Sequence, residues 1–273
     1  MKFLCLHGAY GSAKNFQAQL SPFLDEVRDR AEYSFTWIDG IHETAPPDGF
    51  QDYFGAAPWH RHVKFEASNF LKRIRQFPQE QGAEDSMRFL LAGEELIPAE
   101  SLTEALDRIF KIMEEDPEIT VSPIMRCIPG RSWKLTVCSQ GLIGYSEGSM
   151  IAASLIIEEQ RRRKEYGTLR RIERAIFFAG WPPMSVVDGQ ARLVLSDTAD
   201  EFIDIPTFHV IGCNDPYLNG SMSLYTTCDE DCAELFDHGQ GHTVPRDPRT
   251  MKELVTVLDR FLHNNRNFEF EDN

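Results

Sequence analysis

The string Gly144-Tyr145-Ser146-Glu147-Gly148 constrains this chain more than any other stretch. Glycines two before and two after a serine let the backbone turn sharply from a strand into a helix, lifting the hydroxyl to the tip of the turn. On average residue usage a G-x-S-x-G string arises by chance in roughly one chain of this length in ten, so its surroundings decide. Gly141-Leu142-Ile143 is a short apolar approach, as a buried strand would be, and Met150 to Ile157 is an apolar run of helix formers. From Glu158 to Glu165 the run turns abruptly charged and it stops at Gly167, as a helix does where it leaves the core for water. The same residues also fit a plainer structure, a Gly-flanked serine capping an ordinary buried helix.

Such a turn needs a large core around it. The 273 residues are 42% hydrophobic and 26% charged, with no low-complexity linker, so one α/β domain over 1–273 is expected. No period suggests repeats, and no apolar stretch reaches the roughly 18 residues of a membrane span, so a soluble protein is expected. The apolar start, Met1 to Gly8, lacks the longer hydrophobic region and cleavage site of a signal peptide and is read as strand one. Cys5, Cys127, Cys138, Cys213, Cys228 and Cys232 are scattered, with Cys5 and Cys213 assigned to buried strands, which points to a reducing, cytoplasmic compartment. Cys228 and Cys232 have no matching Cys/His pair at metal-ligand spacing, so no metal site is expected. A formal charge of −15 argues against a nucleic-acid partner. The basic run Arg161 to Lys164, with Arg170, Arg171 and Arg174, lies at the far end of the serine's helix and is read as a solvated helix terminus.

Along the chain, strand one (about 2–7), a helix near 13–26 and strand two (33–38) have βαβ rhythm. From Asp39 to about Gln81 the rhythm breaks into a stretch rich in Pro, Gly and aromatics. A lid-like insertion is expected at about 40–85. Met87–Leu91 is ambiguous, and Ser101 with Glu104 reads as a capping box opening a helix to Met113. Buried parallel strands are expected at 174–179 and 207–211, and a final helix at 249–263 with one apolar face. Asn264–Asn273 reads as a frayed tail. The expected architecture is a mainly parallel, doubly wound sheet flanked by helices.

A serine hydroxyl near neutral pH is a weak nucleophile. It needs a histidine to take its proton and a carboxylate to fix that histidine's tautomer. In α/β-hydrolases the order is Ser, acid, His. Asp215, directly after the strand at 207–211, is the best acid, with Asp229, Asp231 and Asp237 as rivals in or near a charged helix. His242, in a Gly-flanked loop before Pro245, is the best base, with His238 as rival. Backbone donors for an oxyanion are expected from Glu147 and from the loop after strand one, at Tyr10 or Ala9. His7 reads as a structural loop histidine.

Leu4-Cys-Leu-His-Gly8, Gly144-Tyr-Ser-Glu-Gly148, His209-Val-Ile-Gly212 with Asp215-Pro216, and Gly241-His-Thr-Val-Pro245 together resemble the FSH-type serine hydrolases. These α/β-hydrolases of fungi and other eukaryotes include thioesterases that release fungal polyketides. The resemblance covers nearly the whole chain and implies the α/β-hydrolase fold and a Ser146, Asp215, His242 triad. Members commonly have glutamine after the nucleophile and glycine two after the His-Gly pair, where this chain has Glu147 and Tyr10.

The expected reaction is hydrolysis of an acyl ester or thioester through an acyl-Ser146 intermediate, with no cofactor, and polyketide chain release fits the resemblance best. Ala9, Trp59 and Trp181 are candidate substrate contacts. Phe50, Tyr53, Phe54 and Phe65 are further aromatics of the insertion. Arg61, Lys64, Lys72, Arg73 and Arg75 form a basic strip that suits either an acidic acyl carrier protein or a solvated helix face. The same triad also serves condensation or C–C cleavage, and a binding module that kept only the fold stands as the alternative outside enzymology.

Overall fold

A computed structural model describes residues 1–28, 33–48, 54–65, 77, 82–91, 97–115, 140–197 and 201–264. In chain order the first strands and helices are β1 (Lys2–Leu6), α1 (Ala13–Gln19), α2 (Ser21–Val27), β2 (Ser34–Ile38), β3 (His42–Thr44) and β4 (Trp59–Arg61). There follow α3 (Ala83–Leu91), α4 (Ala99–Glu115), β5 (Gln140–Tyr145), α5 (Glu147–Tyr166) and β6 (Ile172–Phe178). The last are β7 (Met184–Val187), β8 (Gln190–Leu193), β9 (Thr207–Ile211), α6 (Leu218–Thr226), β10 (Ala233–Asp237) and α7 (Pro248–Asn264).

Among the described residues, six strands make one parallel sheet in the order β10-β9-β6-β5-β1-β2. Both faces are covered, so the strands read as continuous apolar runs whose side chains alternate between two cores. In β1, Phe3 and Cys5 pack with α1, α2 and α7, while Leu4 and Leu6 pack with α4 and α5. In β6, Ile176 and Phe178 join the first core and Ala175 and Phe177 the second. The remaining strands form two antiparallel ribbons, β3/β4 and β7/β8.

Because β1 lies between β2 and β5, the connections from β1 and β5 leave in opposite directions. Their carboxyl ends therefore frame the switch point where open α/β sheets hold ligands. Helix α5 is buried on all sides from Glu147 to Ile157, then surfaces. Gly167, at φ 68, closes it with its N–H on the Arg163 carbonyl at 2.9 Å.

Several expectations are corrected. The helix near 13–26 breaks at Leu20, because Pro22 has no N–H to donate to Ala18; the Ser21 hydroxyl bonds that carbonyl instead, at 2.9 Å. Met87–Leu91, ambiguous in sequence, belongs to α3. Ser101 is no cap: α4 starts two residues earlier, after Pro98, and Ser101 Oγ accepts the Lys64 N–H at 2.7 Å. The basic run is not simply solvated, since Arg162 bonds Glu158 at 2.8 Å and Asp107 at 2.5 Å, and Arg170 bonds Asp204. Cys213 lies past the end of β9 and is exposed, whereas Cys5, Cys228 and Cys232 are buried, where desolvation raises their thiol pKa values. Cys127, Cys138, Phe50, Tyr53, Lys72, Arg73, Arg75 and nearly all of the tail at 264–273 lie outside the described residues. Among the described residues no helix is long and apolar enough to cross a membrane.

Candidate active site

Ser146 joins β5 to α5 with φ 52 and ψ −113, a backbone region that side-chain-bearing residues rarely enter. Its two flanking glycines are required by close approach. A Cβ on Gly144 would lie 2.5 Å from the Ser149 backbone, and one on Gly148 would lie 2.1 Å from the Leu6 carbonyl oxygen. The first turn of α5 therefore rests directly on β5 and β1, and the Ser146 N–H is tied to the Phe178 carbonyl at 2.9 Å.

Two loops bring the partners. His242 Nε2 lies 3.0 Å from Ser146 Oγ, and His242 Nδ1 lies 2.8 Å from Asp215 Oδ2. A carboxylate only accepts, so Nδ1 carries the proton and Nε2 presents its lone pair to the serine hydroxyl. The Asp215 side chain is 1% exposed, and its second oxygen accepts the Tyr217 N–H at 2.7 Å. Asp215-Pro216-Tyr217 is thus an Asx-turn that orients the acid. The Tyr145 hydroxyl donates to the His242 carbonyl at 3.1 Å, and the rings of Tyr145 and Tyr217 stand 5.6 and 5.2 Å from the imidazole. Neither tyrosine was foreseen from sequence, though an aspartate two residues before an N–H donor, with proline between, is a readable turn signal.

The loop after β1 folds into a turn with the Gly11 N–H on the Gly8 carbonyl at 3.1 Å. Tyr10 occupies its third position at φ 56, the position and sign that favour glycine. The N–H groups of Tyr10 and Glu147 enter no hydrogen bond among the described residues. His7 is fully buried in a structural role: Nε2 accepts the Gly40 N–H at 2.9 Å, and Nδ1 donates to Gly8 O at 2.7 Å. Burial lowers the pKa of His7, and that of His62 beside it further still.

Glu147 departs furthest from expectation. Its carboxylate, 5% exposed, accepts from the Arg61 guanidinium, at 2.7 Å from Nε and again from a terminal nitrogen, and from the His62 N–H at 2.8 Å. Arg61 is therefore withdrawn from the surface strip and paired inside, while Lys64 stays exposed.

The rivals have other work. Asp237 ends a strand rather than standing in a charged helix, and it accepts the N–H groups of Cys213 and Gly239 at 2.9 and 2.8 Å. Asp229 accepts the Asp231 N–H at 3.0 Å. His238 Nδ1 accepts the Gln240 N–H at 3.2 Å, and burial lowers its pKa. Trp181 stands 6.0 Å from the Tyr217 ring and 5.9 Å from Phe77, one ring removed from His242. Ala9 lies in the same turn as Tyr10. Trp59 donates to the nearby Gly55 carbonyl at 3.0 Å and makes no ring contact with this group among the described residues. No cluster of three or more His, Cys, Asp or Glu able to hold a metal ion occurs among the described residues.

The family profile described as serine hydrolase (FSH1) matches residues 1–254. The chain belongs to the FSH1 serine hydrolase family. Among its curated relatives, "Hydrolase phiM" of Talaromyces stipitatus is 22% identical over 95% of this chain and 87% of that protein. "Esterase FPY3" of Fusarium mangiferae is 23% identical over 95% and 96%. Acyl-protein thioesterase 2 of Zea mays superposes with a TM-score of 0.52 at 11% identity, over 96% of this chain and 93% of that one, which places this FSH1 member among the α/β-hydrolase folds.

Proposed function

We propose that this FSH1 family member hydrolyses an acyl ester or thioester, with Ser146 as nucleophile, His242 as base then acid, and Asp215 as its orienting carboxylate. One observation carries it: the unbroken chain Ser146 Oγ, His242 and Asp215, at 3.0 and 2.8 Å, at the switch point of a parallel sheet.

Ser146 Oγ attacks the carbonyl carbon as its proton passes to His242 Nε2, and the carbonyl electron pair moves onto oxygen. The backbone N–H groups of Glu147 and Tyr10 receive that oxyanion. Collapse expels the alkoxide or thiolate, which takes the proton from His242, leaving acyl-Ser146. Water repeats the sequence: its proton goes to His242, its oxygen to the acyl carbon, and Ser146 leaves with its proton restored as the free acid departs. Asp215 stabilises the imidazolium present twice in each cycle.

The rings of Phe77, Trp181 and Tyr217, within 5.9 to 6.2 Å of one another beside His242, support an apolar acyl group, with Ala9 on the opposite loop. The resemblance to polyketide-releasing thioesterases supports an acyl chain delivered on a carrier thioester in secondary metabolism, in a cytoplasmic setting. Matched aryl and alkyl esters and thioesters, followed by product analysis, test this. Free acid released by the wild type and not by Ser146→Ala is expected; a condensed product with no free acid would replace hydrolysis by acyl transfer to carbon.

A further inference from the structure

The three residues from His60 to His62 touch both sides of the oxyanion-binding backbone. The His60 N–H donates to the Gly11 carbonyl at 2.7 Å, fastening the turn that carries Tyr10. Arg61 Nε and the His62 N–H hold the two Glu147 oxygens at 2.7 and 2.8 Å, fastening the first residue of α5. His62 Nε2 also donates to the His7 carbonyl at 3.1 Å. The Arg61 guanidinium lies 4.4 Å from the Phe65 ring and 5.3 Å from the Tyr10 ring, so one side chain spans from Glu147 to Tyr10. β4 is itself pinned from behind, where a Cβ on Gly40 would lie 2.3 Å from the Arg61 carbonyl.

Both donors belong to strained backbone: Ser146 at φ 52 precedes Glu147, and Tyr10 stands at φ 56. Non-glycine residues hold such angles only where their surroundings over-determine them. Glu147 also puts a buried carboxylate on the residue whose N–H faces the forming negative charge. Unpaired, it would repel that charge in a site of low dielectric.

We propose that Arg61 is a positioning residue of the oxyanion site, a role that presupposes the acyl-serine chemistry above. Its pair with Glu147 locks the two donors together and neutralises the carboxylate beside the oxyanion. Arg61 touches no reacting atom and acts through Glu147 and Tyr10.

The test compares wild type, Arg61→Met, Glu147→Gln and the double variant. Active sites are titrated with a fluorophosphonate, so that kcat is counted per competent site. A trifluoromethyl ketone, which forms a tetrahedral oxyanion on the serine, reads the oxyanion site directly. Arg61→Met is expected to lower kcat per titrated site and trifluoromethyl ketone affinity together by about tenfold or more, with KM changed less than about threefold. Glu147→Gln placed on top should recover the part of both losses that comes from the uncompensated charge, leaving the part that comes from the lost lock. A merely structural Arg61 would lower the titrated fraction and leave kcat per site unchanged, which overturns the proposal, as does a double variant no better than Arg61→Met. Where Arg61→Met does not fold, Arg61→Lys keeps a cation without the two-nitrogen fork. A kcat loss of about threefold or more at constant KM then supports the role, and wild-type kcat overturns it. A wild type that takes up no fluorophosphonate removes the serine-hydrolase chemistry itself, whereas normal labelling with an indifferent Arg61 removes this role alone.

Discussion

Helix α5 buries two glutamates, one in its first turn and one two turns short of its C-terminus, and the two are held in different ways. Glu147, at the carboxyl edge of the sheet, meets a guanidinium and a backbone N–H. Glu159, three turns further along, accepts among the described residues only backbone N–H groups, from Arg171 at 2.9 Å and Ile172 at 3.3 Å. Burial pushes its carboxyl up to about 7, with those N–H groups and the charges of Arg170 and Arg163 pulling the other way. The far glutamate ties the helix to the start of β6. The near one ties the helix to Arg61 and His62 at the end of β4, beside a serine at φ 52. Strain, close approach and a paired charge gather at one end, and ordinary capping at the other.

The largest effect that could break this contrast lies in the triad. Ser146→Ala and Asp215→Asn should each lower turnover by about 10⁴-fold or more while leaving the urea midpoint near that of wild type, because neither change alters the elbow's backbone. Turnover within tenfold of wild type in either variant would mean that the near end is not organised for this chemistry. Next comes Gly148→Ala. Its Cβ would press on the Leu6 carbonyl from 2.1 Å, so a loss of about 4 kcal/mol or more in chemical denaturation is expected, with the serine no longer labelled by a fluorophosphonate.

A smaller effect belongs to Glu159. Burial holds its carboxyl at about 7 in the folded protein against the ordinary glutamate value of 4.5, so the folded state binds more protons across that window and stability falls as pH rises through it. Integrated, the loss is about 3 kcal/mol by pH 8, and Glu159→Gln should abolish it. Buried His7, His62 and His209 titrate low and oppose the trend, but they are present in both proteins and cancel in the difference. Urea curves at pH 5 and pH 8 measure it; parallel pH dependences in the two proteins would contradict the assignment. The smallest is Gly167→Ala, where φ is 68 and a Cβ meets only open space, so about 1 kcal/mol is expected. A cost equal to that of Gly148→Ala would erase the distinction between the two ends.

The grouping of Ser146, His242 and Asp215 was legible because each residue carries a local mark: glycines around Ser146, a strand before Asp215, a Gly-flanked loop at His242. The parallel core was legible for the same kind of reason, since residues such as Ala175–Phe178 form the continuous apolar run that a doubly covered strand requires. Arg61 was not. Its partner lies 86 residues away in sequence, and the segment around it has no period, so it passed for part of a basic surface strip. Ser101 misled through a motif with a real mechanism, because Pro98 lets α4 begin earlier and frees the hydroxyl for Lys64. Leu20 failed differently: the apolar spacing of Phe16, Leu20 and Phe23 continues across a break that Pro22 imposes on the backbone. Local marks survive in sequence, while tertiary pairings of polar groups do not.

The central claim is a covalent acyl-Ser146 intermediate formed through His242. Its most direct test is intact-mass spectrometry of the wild type and Ser146→Ala after brief exposure to a panel of acyl thioesters, with peptide mapping of any adduct. A mass increase equal to the acyl group, mapped to Ser146 and absent from Ser146→Ala, is predicted. Adducts of equal yield in both proteins, or free acid released at the wild-type rate by Ser146→Ala, would contradict it.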